Sequence, residues 1–150
     1  MVDSPAAPAL VLAFDYGTRR IGVAIGDTLT QTARPLHTID HAALWRDLDK
    51  IFAEYRPARC VVGLPHNMDG TPTALTPVVR RFAAELQQRY HLPVGLVDER
   101  TSSREAEAAL RDARASGLKR RRTTHADVDK VAARIVLERW LENPQAVEWV

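Results

Sequence analysis

Acidic residues stand at three points of the chain where a predicted strand ends or a predicted helix begins. Asp15 follows the apolar run LVLAF, Asp98 and Glu99 end the run PVGLV, and Asp127 and Asp129 open the last helical segment. In α/β sheets, ligand sites form beyond the carboxyl ends of parallel strands. Carboxylates that converge there without basic partners repel one another, unless a hard divalent cation lies between them. Three such carboxylates would hold one or two Mg²⁺ ions, which promote hydrolysis of phosphate esters.

At two of these three points, two acids lie close together in the sequence and either one could face the site. Asp127 shares its helical face with charged residues and is expected to be a solvated residue of the first turn, whereas Asp129 shares a face with apolar residues such as Val136. We therefore expect Asp129 to face the site. Strand alternation places Asp98 and Glu99 on opposite faces, and it does not decide which of them faces the site.

Apolar periodicity predicts the elements that position these acids. Five strands are expected, at Leu10–Phe14, Ile21–Gly26, Leu36–Ile39, Arg59–Leu64 and Pro93–Asp98. Helices are expected around residues 44–55, 75–86, 102–115 and 128–140. The short turn after the first strand predicts an antiparallel hairpin, and the helices after the last two strands predict parallel crossovers. The predicted fold class is α/β, with a mixed five-stranded sheet flanked by helices.

Composition indicates an ordinary globular protein. The chain has 150 residues, of which 45% are hydrophobic and 27% are charged. We expect one domain over residues 9–142, between a flexible tail at 1–8 and a C-terminal tail at 143–150. Cys60 is the single cysteine, so no internal disulfide can form. No signal peptide and no run of roughly 18 apolar residues is found, so a cytoplasmic protein with no membrane attachment is expected.

Four blocks of the sequence together closely resemble one family. They are FDYGTRRIGVAIGD (14–27), VVGLPHNMDGT (61–71), VDERTSSREAE (97–107) and VDKVAARIVLERWL (128–141). The resemblance is to the YqgF (RuvX) family of Holliday junction resolvase-like nucleases, which are described as maturing the precursor of 16S ribosomal RNA. It covers most of the chain from about residue 10 to residue 141.

The resemblance implies a ribonuclease H-like fold and an acidic active site. The family's carboxylates correspond to Asp15 in the first block, Glu99 in the third and Asp129 in the fourth. These residues would be both catalytic and metal-binding, with Mg²⁺ or Mn²⁺ as the cofactor. The match at Asp129 agrees with the expectation from the helical face.

Other residues are candidates for binding the phosphates of a substrate. They are Gly17, Thr18 and Arg19 in the first turn, Asn67 and Gly70 in a predicted loop, and Arg100 and Ser102 at a predicted helix start. Arg20 is either a further contact of this kind or a solvated residue. Gly17 would permit a tight or positive-φ turn. A structural connection is the alternative for the loop, and helix capping alone would explain Ser102.

Basic residues are concentrated before the last predicted helix. Residues 111–122 contain six Lys and Arg against one Asp, although the net charge of the chain is only +2. Lys119, Arg120, Arg121 and Arg122 would lie near the rim of the acidic site. A solvated loop is the alternative, but beside a phosphodiesterase site we favour contacts with a nucleic-acid backbone.

The leading hypothesis is a metal-dependent endonuclease acting on structured nucleic acid, at the 5′ end of the 16S rRNA precursor in ribosome biogenesis. Its partners would be structured RNA in preference to DNA junctions, and ribosomal particles. The alternatives are a Holliday junction resolvase and a non-catalytic nucleic-acid- or ribosome-binding factor. An ATP-binding lobe like those of sugar kinases, actin and chaperone ATPases is disfavoured, because those proteins enclose ATP between two lobes. Junction cutting would favour a homodimer and RNA processing a monomer, and the sequence leaves this open.

Overall fold

Six strands form one mixed sheet, and helices cover both of its faces. The computed structural model describes residues 9–99 and 125–150. Its strands are β1 (Leu10–Tyr16), β2 (Arg20–Asp27), β3 (Thr32–Asp40), β4 (Arg59–Leu64), β5 (Val94–Asp98) and β6 (Glu148–Trp149). The α-helices described are α1 (Leu44–Tyr55), α2 (Thr76–Tyr90) and α3 (His125–Glu142). The strand order is β3-β2-β1-β4-β5-β6.

Alternate residues of β1 are buried in two different cores. Leu12 and Phe14 belong to the core on the α1 and α2 side of the sheet, where Phe14 meets Phe82 of α2 edge to face with ring centroids 5.8 Å apart. Val11 and Ala13 belong to the core on the α3 side. Successive side chains of a strand point to opposite faces, so a strand that is apolar throughout needs a layer on each side.

The strand pairing confirms the predicted mixture of directions. β1 and β2 form an antiparallel hairpin, whereas β1, β4 and β5 are mutually parallel neighbours. The carboxyl ends of these three parallel strands therefore lie at one edge of the sheet. The predicted acids are expected at this edge.

The sheet has six strands rather than the five predicted. The additional strand, β6, pairs antiparallel with β5 in the segment that the sequence assigned to a C-terminal tail. Gly95 makes room for it, because a Cβ atom there would lie 3.2 Å from the ring of Trp149. A two-residue strand is too short to produce the alternating pattern by which strands are predicted.

Several predicted segments lie outside the described residues. These are the N-terminal tail at 1–8, the helix at 102–115 and the basic run at 119–122. In the part of the chain that the structure describes, no helix is both long and apolar enough to cross a membrane.

A polar cluster at the surface holds α1 to α2. Asp49 accepts hydrogen bonds from Arg89 Nη2 at 2.7 Å and from the Tyr90 hydroxyl at 2.7 Å. These donors, Arg89 above all, lower the pKa of Asp49 from its usual 3.8 to about 2. The guanidinium of Arg89 also stacks over the ring of Trp45, 5.2 Å from its centroid.

Asp49→Asn should lower Tm at neutral pH by a small amount, on the order of one or two degrees, because the cluster is exposed to solvent. A lowered carboxyl pKa contributes stability above the unfolded value, and this contribution is lost as pH falls from about 4 through about 2. Thermal unfolding between pH 2 and pH 7 should show the gap between variant and wild type closing in acid. Asp47→Asn is the matched control, because Asp47 pairs with Arg46, its neighbour in the same helix, at 3.4 Å and does not link α1 to α2 among the described residues. A Tm difference between Asp49→Asn and wild type that stayed constant with pH would contradict the lowered pKa of Asp49.

Candidate active site

Asp15 lies on the face of the sheet that α3 covers. It continues the series Val11 and Ala13, which pack against α3, and β1 extends past it to Tyr16 instead of ending before it. Asp15 pairs with Gly22 of β2 in the antiparallel register. Its position in the sheet is therefore fixed by its pairing with β2 and by the pairing of the preceding residues of β1, up to Phe14, with β4.

The structure decides between the two acids at the end of β5. Val97 packs in the core beneath α3, so alternation directs Glu99 to that face as well, where it is buried. The side chain of Asp98 is half exposed, and its Oδ1 lies 3.7 Å from Nδ1 of His66. Glu99 is held at the strand end by its backbone N–H, which donates to the carbonyl of Leu64 at 3.2 Å. Glu99, not Asp98, therefore shares a face with Asp15.

A glycine on the intervening strand lets the two carboxylates meet. β4 lies between β1 and β5, and a Cβ atom at Gly63 would overlap Glu99 Oε2 and would lie 2.9 Å from Val136 Cγ2. In the space that glycine leaves, the side chains of Asp15 and Glu99 are hydrogen-bonded to each other. The missing side chain at position 63 is therefore what allows the two carboxylates to approach each other.

A second glycine brings Asp129 to the same place. The backbone of α3 crosses β2 so closely that a Cβ atom at Gly22 would overlap the carbonyl oxygen of Asp129, and it would lie 3.1 Å from the nitrogen of Lys130. Because Gly22 is the ladder partner of Asp15, this crossing places Asp129 beside Asp15. Asp129 Oδ2 accepts a hydrogen bond from Arg20 Nε at 2.9 Å, in a half-buried ion pair.

The electrostatics of Asp15 reflect this gathering. Burial raises its pKa, the hydrogen bond with Glu99 lowers it, and the negative charge of Asp129 raises it; the net change is upward. A raised carboxyl pKa beside two further acids is typical of sites that bind cations or move protons.

The prediction that Asp127 is solvated was wrong. Its side chain is buried, at 3% exposure, whereas the side chain of Asp129 is 25% exposed. The face that carries Asp127 reaches solvent farther along α3, where Glu138 is exposed. The helical-face argument assumed that one face keeps the same environment along the whole helix, and the first turn of α3 does not.

The three acids are close, but they are not arranged as a finished metal site. Within residues 9–99 and 125–150, no three Asp, Glu, His or Cys side chains form a group that could hold one ion as they stand. Asp15 and Glu99 are hydrogen-bonded to each other, and Asp129 is hydrogen-bonded to Arg20. The donor chemistry nevertheless fits Mg²⁺ or Mn²⁺, because carboxylate oxygens are the ligands these ions prefer.

The first turn is held tightly beneath Asp15. The N–H of Gly17 donates to the carbonyl of Arg20 at 2.9 Å, and the carbonyl of Gly17 lies 2.7 Å from Nε2 of His41. Gly17 does not have a positive φ, so the tight form of the predicted turn is the one adopted. Thr18 and Arg19 are exposed at its tip. Their contact with phosphate stays a prediction.

The loop after β4 is closed by its own hydrogen bonds. Nδ2 of Asn67 donates to Thr71 Oγ1 at 2.9 Å, and the N–H of Gly70 donates to the carbonyl of Asn67 at 2.9 Å. Gly70 has a φ of 90°, which explains the glycine. These contacts support the structural alternative for Asn67 and Gly70, and phosphate binding by the loop stays a prediction. Arg100, Ser102 and Lys119 to Arg122 lie outside the described residues.

Sequence reasoning missed some contributors to this site. Gly22 and Gly63 lie inside two of the predicted strands, but sequence reasoning gave neither glycine a role in the site. A glycine inside an apolar strand often marks the close approach of another group, and that signal was available. No comparable signal identified the pairing of Arg20 with Asp129, which are 109 positions apart.

The chain matches one protein family over most of its length. Residues 9–143 match the family described as "RuvX: Holliday junction resolvase". The chain is 45% identical over 145 residues to a "Putative pre-16S rRNA nuclease" of Xylella fastidiosa (strain 9a5c), covering 95% of this chain and 93% of the relative. It is 44% identical over 146 residues to a protein of the same name from Burkholderia cenocepacia (strain HI2424), covering 95% of each.

The fold is similar to that of a solved structure. T. thermophilus RuvC, in complex with a Holliday junction substrate, superposes with a TM-score of 0.59 over 92% of this chain and 98% of that chain, at 15% identity. At that identity the likeness concerns the fold alone. It confirms the predicted ribonuclease H-like architecture.

Proposed function

Because this chain belongs to the RuvX family of Holliday junction resolvases, we propose that it is a divalent-metal-dependent endonuclease that hydrolyses phosphodiester bonds in structured nucleic acid. The observation that carries the proposal is the meeting of Asp15 and Glu99 above Gly63, with Asp129 beside them. The substrate we propose is the 5′ end of the 16S rRNA precursor, in the cytoplasm. The names of relatives that are 44–45% identical to this chain support that choice.

Asp15, Glu99 and Asp129 would hold Mg²⁺ or Mn²⁺. When bound, the ion would supply Lewis-acid stabilisation of a phosphoryl oxygen and an activated water. The remaining contributions come from the chain itself. Gly63 leaves the space in which the carboxylates of Asp15 and Glu99 would both reach the ion.

The residues around the acids support the binding of a phosphate backbone. Thr18 and Arg19 are exposed at the turn that directly follows Asp15. Contacts of this kind position a nucleic acid without reading its sequence. The proposed contacts from Arg100, Ser102 and the basic run at 119–122 rest on the sequence and would extend this surface.

A Holliday junction is the second candidate substrate, and it is favoured by the family's own description. Symmetric cutting of a junction requires two active sites, so it would require a homodimer. A monomer in solution would favour RNA processing.

The test is to incubate the purified full-length protein with Mn²⁺ and three substrates: 16S rRNA precursor, an unstructured single-stranded RNA, and a four-way DNA junction. We expect cleavage of the precursor above the other two, and its loss in EDTA or in the Asp129→Asn variant. Preferential cutting of the junction would instead support the resolvase assignment. Binding without cleavage, unchanged by alanine at Asp15 and Asp129, would indicate a non-catalytic binding factor.

A further inference from the structure

Arg20 lies inside the group of acids. Its Nε donates to Asp129 Oδ2 at 2.9 Å, and the two side chains are only 29% and 25% exposed. Ion pairs on open surfaces are loosely held and contribute little. This pair is different, because both of its residues are fixed from the backbone.

The backbone of each partner is held in place independently of the ion pair. The carbonyl of Arg20 accepts the N–H of Gly17 at 2.9 Å, and Arg20 is paired with Asp40 in the β2–β3 ladder. The backbone of Asp129 lies directly over Gly22, two residues farther along the same strand. Arg20 and Gly22 share the α3 face of β2 by alternation. The guanidinium is therefore built into the site.

Arg20 supplies the positive charge that balances the carboxylate of Asp129. Arg20 Nε lies 2.9 Å from Asp129 Oδ2 and balances the negative charge that Asp129 adds beside Asp15. A divalent ion that uses Asp129 as a ligand must share this carboxylate with a guanidinium, and the two cations repel each other.

We propose that Arg20 is a positioning residue that competes with divalent cations for Asp129 and so sets the affinity of the site for them. The proposal rests on the proposed function, because it takes Asp15, Glu99 and Asp129 as the cation ligands. It also accounts for the absence of an assembled three-ligand group among the described residues. The guanidinium of Arg20 holds the carboxylate of Asp129 in place when no metal ion is bound.

Competition predicts an effect opposite to that of a merely structural residue. Replacing Arg20 by a neutral side chain should tighten Mn²⁺ binding by about three- to tenfold, because a nearby positive charge is removed and Asp129 is released. A residue that only supported the fold would weaken binding when it was replaced. Arg20→Lys keeps the charge and should bind Mn²⁺ within about twofold of wild type, although it loses the planar donor geometry.

The experiment is calorimetric titration of Mn²⁺ into the full-length protein without nucleic acid. It compares wild type with Arg20→Gln and Arg20→Met. The matched control is Arg34→Gln, which removes the same charge from an exposed position on β3. Arg34 pairs with Ile25 of β2, whereas Arg20 pairs with Asp40. Arg34 and Asp40 are six residues apart on β3, so the control lies about 20 Å along the strand from the partner of Arg20. The control should bind like wild type. Thermal unfolding in EDTA and in Mn²⁺ gives a second readout: the neutral variants should gain more Tm from Mn²⁺ than wild type gains.

The outcomes separate this inference from the proposed function. If wild type binds Mn²⁺, if Asp15→Asn does not, and if the neutral Arg20 variants bind no more tightly than wild type, the inference alone is overturned. If wild type shows no saturable binding, or if Asp15→Asn binds equally well, the metal site of the proposed function fails and the inference fails with it. Neutral variants that stay unfolded even in Mn²⁺ would also overturn the inference, since a divalent ion should replace Arg20 as the partner of Asp129.

Discussion

Asp15→Asn should reduce phosphodiester cleavage by about a thousandfold or more, which corresponds to roughly 4 kcal/mol of transition-state stabilisation. The amide keeps the size of the side chain and can still hydrogen-bond to Glu99, but it lacks the anionic oxygen that a divalent ion needs. The fold should tolerate the change. Burial and the charge of Asp129 already raise the pKa of Asp15, so a permanently neutral group relieves repulsion. We therefore expect a Tm equal to or slightly above that of wild type, together with intact binding of nucleic acid.

Single-turnover cleavage, nucleic-acid binding and thermal unfolding would be measured on the same preparation. Asp98→Asn is the matched control. It removes a carboxylate one residue from Glu99, but one that lies on the opposite face and is half exposed. It should cleave within about threefold of wild type. Full metal-dependent cleavage by Asp15→Asn would end the assignment, and equal losses in both variants would mean that net charge, not placement, accounts for the effect.

Much of this site could be predicted from the sequence because strand alternation is a strict rule. Asp15 follows a run whose alternate residues had to face two layers, and the hairpin and the parallel strands followed from the lengths of their connections. Alternation also showed that Asp98 and Glu99 point in opposite directions. Alternation alone does not say which of the two faces the site. The family resemblance indicated Glu99, and the packing of Val97 beneath α3 gives the structural reason.

The features that sequence reasoning mispredicted or missed concern contacts between distant segments. The burial of Asp127 depends on what covers the first turn of α3, and the helical period carries no information about that. The pairing of Arg20 with Asp129 depends on where α3 crosses β2. The strand β6 depends on the space beside Gly95. Each of these features depends on the distance between two elements of the fold. The local sequence pattern carries no information about that distance.

Gly22→Ala should destabilise the protein by about 3 kcal/mol, or roughly 10 °C in Tm. The added methyl group would overlap the backbone carbonyl of Asp129, which belongs to a regular helix and cannot rotate away as a side chain can. Relief requires α3 to move off the sheet, and buried residues such as Val136 and Leu137 would then lose their packing. Chemical denaturation and thermal unfolding would measure the loss. A Tm within 2 °C or so of wild type would contradict this account of how Asp129 is placed.

Gly63→Ala provides the matched comparison, because it adds the same methyl group on the same face two strands away. There the overlapping group is the carboxylate of Glu99, the far end of a flexible side chain, and Val136 Cγ2 would lie 2.9 Å away. Glu99 can swing aside, so the loss of stability should be clearly smaller than for Gly22→Ala. Swinging aside separates Glu99 from Asp15, however, and cleavage should fall by about a hundredfold. The two glycines would then divide their tasks: Gly22 lets the helix that carries Asp129 dock, and Gly63 lets two carboxylates meet.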